Sequence, residues 1–201
     1  MKIRLPSPFE TFLRSLVPPE EFSDPLLDLP NTAERVERMW KEELLYGYSD
    51  EGRKKLEHKF RAFPRVAEGD DASMVTEAGI PFTSTCAHHL LPFRGVAHFG
   101  YIPHRSVLGL SKVAWVLDYF AARLQLQESL TDQVIDYLYD RLSPVGMILV
   151  LEAEHMCMAC RGPRKAGVLT STSALRGIAV THPEVRTEFY RLMESAGRRD
   201  R

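Results

Sequence analysis

The sequence has no excess of charge. Against 26 Lys and Arg it sets 27 Asp and Glu, a formal net charge of −1 over 201 residues. The basic surplus that binding a nucleic acid requires is missing. Long apolar runs are missing too, and none approaches the ~20 residues of a membrane span. The start, Met1-Lys-Ile-Arg-Leu-Pro6, lacks the apolar stretch of a secretory signal. The expectation is a cytoplasmic protein with no nucleic-acid and no membrane partner. Cysteine is scarce: there are 3, an odd number. That argues against a disulfide framework, and in a reducing compartment it leaves metal ligation or nucleophilic chemistry for the thiols. What remains is ordinary, with 44% hydrophobic and 26% charged residues. The length suffices for one domain with a real core and an N-terminal extension.

Six of the 13 prolines (Pro6, Pro8, Pro18, Pro19, Pro25 and Pro30) fall in residues 1–30, which reads as an irregular N-terminal arm. Asn31-Thr-Ala-Glu34 looks like a capping box opening a helix with Val36, Met39, Trp40 and Leu44 at helical spacing, stopped by Gly47. Residues 50–62 suit a solvated helix, and Gly69-Asp70-Asp71 a loop. The division expected is an arm over 1–30, a helical region over 31–80 and a catalytic domain over 81–201. Within the last, Val96–Ile102 and Ser106–Leu110 read as strands. Ser111 can N-cap a helix buried through Val113, Leu117, Phe120 and Leu124. A second helix begins near Leu130 and ends at Ser143-Pro-Val-Gly146. Met147–Leu151 is a buried strand running on to His155, Leu169–Ile178 is a further strand, and Pro183 opens a last helix. The order strand, strand, helix, helix, strand, strand is an α+β domain: a four-stranded antiparallel sheet with two antiparallel helices on one face. The other face is expected to be open and to meet another subunit.

Two clusters carry chemistry. Cys86-Ala-His88-His89 precedes the first strand, and His155-Met-Cys157-Met-Ala-Cys160 ends the buried one. Thiolate and imidazole are the ligands zinc prefers, and a catalytic zinc takes three from the protein and leaves one position to water. Cys86, His89 and Cys157 make such a set and leave His88 and His155 as acid–base groups. Taken singly, each is as well a packed or exposed side chain, and Cys157-x-x-Cys160 also allows a redox or four-ligand reading. Three further groups have a plain and a functional reading. Gln127-Glu128 is either a surface turn or a pair of acceptors for the N1–H and 2-amino edge of guanine. Ser111-Lys112 is a helix cap with an exposed lysine, or an anion site. Arg161-Gly-Pro-Arg164-Lys165 is a solvated basic loop, or a phosphate contact.

Together these stretches resemble the GTP cyclohydrolase I family. The resemblance rests on Ser84-Thr-Cys-Ala-His-His-Leu-Leu-Pro-Phe93, Tyr101-Ile-Pro103, Gly109-Leu-Ser-Lys112, Gln125-Leu-Gln-Glu-Ser-Leu-Thr131, Glu152-Ala-Glu-His-Met-Cys-Met158, Arg161-Gly162 and Thr172-Ser-Ala-Leu-Arg-Gly177. It spans about residues 80–192, with a weaker echo over 31–47. It implies a tunnelling fold, in which sheets and paired helices assemble into a ring. It also implies a toroidal homodecamer with active sites shared between subunits, and conversion of GTP and water to formate and 7,8-dihydroneopterin triphosphate. By the same resemblance Cys86, His89 and Cys157 hold Zn2+, which acidifies the water that attacks C8 of the purine. His88 shuttles protons to the opening ring with His155 assisting. Gln127 and Glu128, with backbone near Leu110 and Leu126, hold guanine. Lys112 and Arg161 bind triphosphate, and Ser111 serves the ribose rearrangement or a phosphate.

Two positions depart from the family pattern. Ala87 stands where the family has Glu, removing a carboxylate that can orient a ligand. Trp115 stands where it has a triphosphate-binding Arg, a loss that Arg164, Lys165 or Arg105 would have to offset. Those departures keep two alternatives open: a ring-opening enzyme for a guanine nucleotide or nucleoside with fewer phosphates, and a non-catalytic zinc-stabilised scaffold.

Overall fold

The computed structural model describes residues 6–65 and 73–197. The Gly69-Asp70-Asp71 loop lies outside the described residues. The chain divides into two compact units, one ending at Tyr46 and one beginning at Gly47.

The first unit corrects the expectation of an irregular arm. Helix α1 runs Pro8–Leu16, α2 Pro19–Phe22 and α3 Leu29–Met39, each with a proline in its first turn. There the missing N–H costs nothing and the fixed φ favours the helix. Ser7 caps α1 by accepting from the Glu10 N–H at 3.1 Å. Asn31 is not the cap of α3. Asp28, in the left-handed region at φ 49°, holds that place, and Asn31 Nδ2 donates to Asp28 Oδ1 at 2.7 Å. Nor does Gly47 stop the helix. After Met39 the chain loosens into a π-helical turn over Trp40–Leu44.

In the second unit Ser49 caps α4, Asp50–Lys59, accepting from Gly52 N–H at 2.9 Å. Strand β1, Ala62–Pro64, follows. Then come β2 Val75–Cys86, β3 Pro92–Ile102, β4 Ser106–Leu108, α5 Lys112–Ala121, β5 Leu124–Gln125, α6 Gln127–Leu142, β6 Gly146–His155, α7 Met156–Ala159, β7 Leu169–Gly177, α8 Ile178–Thr181 and α9 Pro183–Gly197. The result is α+β. The sheet order is β5-β2-β3-β6-β7, with β2, β3, β6 and β7 antiparallel and β5 a two-residue parallel addition at Thr85 and Cys86. The expected strand over 106–110 is shorter and is not in this sheet. It pairs with β1 in a separate ribbon, held where the Leu108 N–H donates to the Tyr101 hydroxyl at 2.8 Å.

Alternation sorts the sheet into two faces. Phe93, Ala97, Phe99, Tyr101, Met147, Leu149 and Leu151 are buried on one, and α5 and α6 supply Val113, Leu117, Leu130, Val134 and Leu138. The opposite face is not left open along its whole length. Ile102, Ile148 and Val150 are buried there with Ala179 of α8 and Val185 and Phe189 of α9. The entry to α8 requires glycine: Gly177 has φ +63°, and a Cβ there would stand 2.3 Å from the Val145 carbonyl oxygen. Ser111 precedes α5 in helical geometry and makes no side-chain cap, so the predicted N-cap bond does not form. Helix α6 starts three residues before Leu130, which puts Gln127 and Glu128 in its first turn rather than in a surface turn.

Candidate metal centre and its cavity

Strand β2 carries Cys86 into the core, where it is 4% exposed. The next five residues turn back tightly. Leu90 N–H donates to Cys86 O and Cys86 N–H to Leu91 O, both at 2.9 Å, and Leu90 takes φ 57°. This turn sets His88 and His89 on the surface beside the buried thiol, their ring centroids 6.2 Å apart. Strand β6 runs alongside β3, and its last residue, His155, is opposite Phe93. One turn of α7 then returns Cys157 towards Cys86. The donor atoms of Cys86, His89 and Cys157 all lie within 4.8 Å of one another.

Those three groups fit a metal ion. A tetrahedral site with metal–donor bonds of ~2.0–2.3 Å spaces its donors about 3.3–3.8 Å apart, which small side-chain adjustments reach from here. Burial pushes the Cys157 thiol up, and the Cys86 sulfur beside it pushes it further. A thiol held back from ionising by burial and a neighbouring sulfur is the arrangement a cation relieves. Cys160 is not in the group. It is exposed, and its Sγ donates to Met156 O at 2.9 Å.

A cavity of about 190 Å³ opens beside the donors, lined by Cys86, His88, Gln125, Leu126, Gln127, Glu128, His155, Cys157, Met158 and Thr170. Its back wall is a polar network. Gln127, 2% exposed, donates from Nε2 to Leu151 O at 3.0 Å, Thr170 O at 2.8 Å and Thr172 Oγ1 at 3.2 Å. Those acceptors fix the amide orientation, so Oε1 is the atom 2.8 Å from His155 Nε2. An amide oxygen only accepts, so Nε2 of His155 carries the proton and Nδ1 keeps the lone pair. The ring is stacked on Phe93 at 4.6 Å and 3°. Burial lowers the His155 pKa, with the Glu128 carboxylate opposing, which favours the neutral ring. Glu128 is exposed at the rim.

Cys86, His88, His155, Gln127, Glu128, Leu126 and Cys157 thus border one cavity, and His89 adjoins it through the donor group. Leu110, Ser111, Lys112 and Arg161 are not in its lining. Leu110 and Ser111 are exposed and Lys112 half-buried at the start of α5, while Arg161 is exposed after α7. Sequence reasoning missed Gln125, Met158 and Thr170. Gln125 carried a readable signal as a polar residue beside Gln127. It is buried, donating from Nε2 to Phe120 O at 2.8 Å and Gln133 Oε1 at 2.9 Å, and its carbonyl receives the Ala87 N–H at 2.9 Å. Thr170 had none, because its place follows from the β6–β7 register. Trp115 is half-buried under two lysines of α4.

Fold and centre together define an α+β protein with a Cys–His–Cys donor group, anchored on the buried Cys86, facing a cavity that carries spare acid–base side chains. The chain belongs to the GTP cyclohydrolase I family, whose profile matches residues 22–194. It is 46% identical over 161 residues to the GTP cyclohydrolase 1 of Carboxydothermus hydrogenoformans, covering 80% of each chain. Over 167 residues it is 42% identical to that of Pelotomaculum thermopropionicum, covering 83% of this chain and 85% of the relative. With the Mycobacterium avium protein of the same name the identity is 52% over 123 residues, 60% of this chain and 59% of the relative. Among solved structures, the apo archaeosine synthase QueF-Like overlaps 55% of this chain and 97% of its own, at TM-score 0.41 and 17% identity.

Proposed function

We propose that the protein is a zinc-dependent GTP cyclohydrolase I, converting GTP and water to formate and 7,8-dihydroneopterin triphosphate. The observation that carries the reading is the convergence of Cys86, His89 and Cys157 beside a cavity that also presents His88, His155 and Glu128. Cys86 and Cys157 as thiolates and His89 as neutral imidazole would hold zinc. Zinc, when bound, supplies Lewis acidity that brings water towards ionisation at neutral pH. His88, exposed on the turn, is free to exchange a proton with the imidazole ring of the purine. His155 has its Nε2–H committed to Gln127, so Nδ1 is the atom that takes a proton. Glu128 accepts from the N1–H and 2-amino groups of guanine. Gln127 has spent its amide hydrogens on Leu151, Thr170 and Thr172 and offers the purine only Oε1. Backbone near Leu110 and Leu126 completes the base site, Lys112 and Arg161 hold the triphosphate, and Ser111 serves the ribose or a phosphate.

A cavity of about 190 Å³ is smaller than the ~300–1,000 Å³ that encloses a drug-sized ligand. It cannot house a whole nucleoside triphosphate. This supports sites shared between copies, and we propose that the copies form a tunnelling-fold homodecamer in the cytoplasm. The test is incubation of the zinc-loaded protein with GTP, GDP, GMP and guanosine, with formate and an oxidised, fluorescent pterin as readouts. Both products from GTP are expected. A fully metallated oligomer that makes neither would sink the proposal, and faster turnover of guanosine than of GTP would replace it with the fewer-phosphate alternative.

A further inference from the structure

Lys55 and Lys59 stand one turn apart on α4, and both reach across the indole of Trp115 on α5, with Nζ 5.7 Å and 5.0 Å from the ring centroid. Lys112 is one turn earlier than Trp115 on α5 and so shares a face with it. Its stem lies along Gly109 beside an aromatic ring: a Cβ added at Gly109 would meet Lys112 Cε and Phe63 Cε2, each at 3.4 Å. Two ammonium groups therefore lie over Trp115, and the helix that carries this ring also carries Lys112 one turn earlier.

Such a gathering has a cost. Like charges closer than the ~8–10 Å screening length repel, and Lys59 and Lys112 are half-buried, where water screens them less. Contact with the ring face offsets part of this for Lys55 and Lys59. Carboxylates, the usual counter-ions, do not supply the rest. Among the described residues the ion pairs involve Arg14, Arg35, Arg53, His98 and Arg176, and none of these three lysines. Trp115 has no charge to give a phosphate, but it holds two cations. Two cations over one ring and a third lysine a turn along the same helix, none in an ion pair among the described residues, offer the charge that a chain of phosphates neutralises.

We infer that Lys55 and Lys59 act with Lys112 to bind the triphosphate of the nucleotide substrate. The inference rests on the cyclohydrolase reading and adds two residues to it. It also answers the loss at position 115, since the charge comes from α4 instead of α5.

The test uses the full-length zinc-loaded protein and the double variant Lys55→Gln/Lys59→Gln, which keeps the side-chain stems over Trp115. Calorimetry with inorganic tripolyphosphate, GTP and guanosine is combined with steady-state assays on GTP. The variant is expected to lose at least tenfold in affinity for tripolyphosphate and GTP and to raise KM for GTP by a similar factor. Guanosine binding should stay where it was, and Lys55→Arg/Lys59→Arg should restore the phosphate affinity. Unchanged tripolyphosphate and GTP affinity, with only a lower melting temperature, would overturn the inference, since the lysines would then merely cover Trp115. Loss of tripolyphosphate binding with unchanged GTP affinity and KM would overturn it as well, leaving a site for free polyphosphate. If phosphate binding depends on the lysines but no formate is ever made, the inference stands as binding and the cyclohydrolase reading falls.

Discussion

Cys157 and Cys160 are three residues apart and have different surroundings. Cys157 shares its donor group with Cys86 and His89, whereas Cys160 is exposed and bonded to its own helix backbone. Removing a donor from a three-residue set should weaken metal binding at least ~100-fold, while a neighbour outside the set should change it by no more than ~2-fold. Cys157→Ser and Cys160→Ser, dialysed against a competing chelator and assayed for zinc by atomic absorption, are expected to show that contrast. Equal losses would mean that Cys160 is a ligand. The same scale shows what residue types do not reveal. Cys86, His89 and Cys157 were readable as a set because thiolate and imidazole at that spacing suit zinc. Which nitrogen of His155 is free was not readable, because it depends on an amide whose orientation is fixed by Leu151, Thr170 and Thr172.

At the scale of elements, the helices buried on one face were legible from their 3.6-residue stripes, and β6 from its continuous apolar run. Strand β2 was not legible over most of its length. It contains Gly79 and Pro81, residues that ordinarily argue against a strand. Both are tolerated because β5 covers only Thr85 and Cys86, leaving the rest of that side of β2 an edge, and because a bulge between Glu77 and Ile80 takes up Gly79 at φ +71°. The prolines of the first unit misled in the opposite sense, since a proline in the first turn is compatible with a helix. Strand β2 also carries a titrating group. Burial pushes the Glu77 carboxyl up to about 7. A raised carboxyl keeps its proton in the native state after the unfolded chain has released it, so its contribution is fully present below pH ~4.5 and is lost as pH rises through ~7. Glu77→Gln should therefore stabilise the protein at pH 8 and have little effect at pH 4. The gain at pH 8 should be about 1 kcal/mol once partial exposure to water is allowed for. Urea denaturation at the two pH values checks it, and a loss of stability at pH 8 would contradict the assignment.

At the scale of the whole molecule, the single chain leaves large apolar side chains uncovered. Leu110 is 73% exposed, Leu169 61% and Leu90 49%, and proposed substrate residues lie outside the cavity. The expected outcome in sedimentation is a particle many times the 22.9 kDa chain mass, with turnover that disappears on dilution into monomers. A fully active monomer would contradict shared sites. No helix among the described residues is long and apolar enough to cross a membrane. By itself the sequence determined what is local: the periodicity that makes α5, α6 and β6, the soft-donor residues that suit zinc, and the ordered motifs that mark the family. Only the tertiary structure decided what depends on register and packing. It placed Cys86 against Cys157 through the β2–β3–β6 ladder, turned Gln127 inward to hold His155, and laid Lys55 and Lys59 across Trp115. Such contacts join residues far apart in the chain, and their free energy comes from burial and pairing that exist only once the sheet and helices have come together.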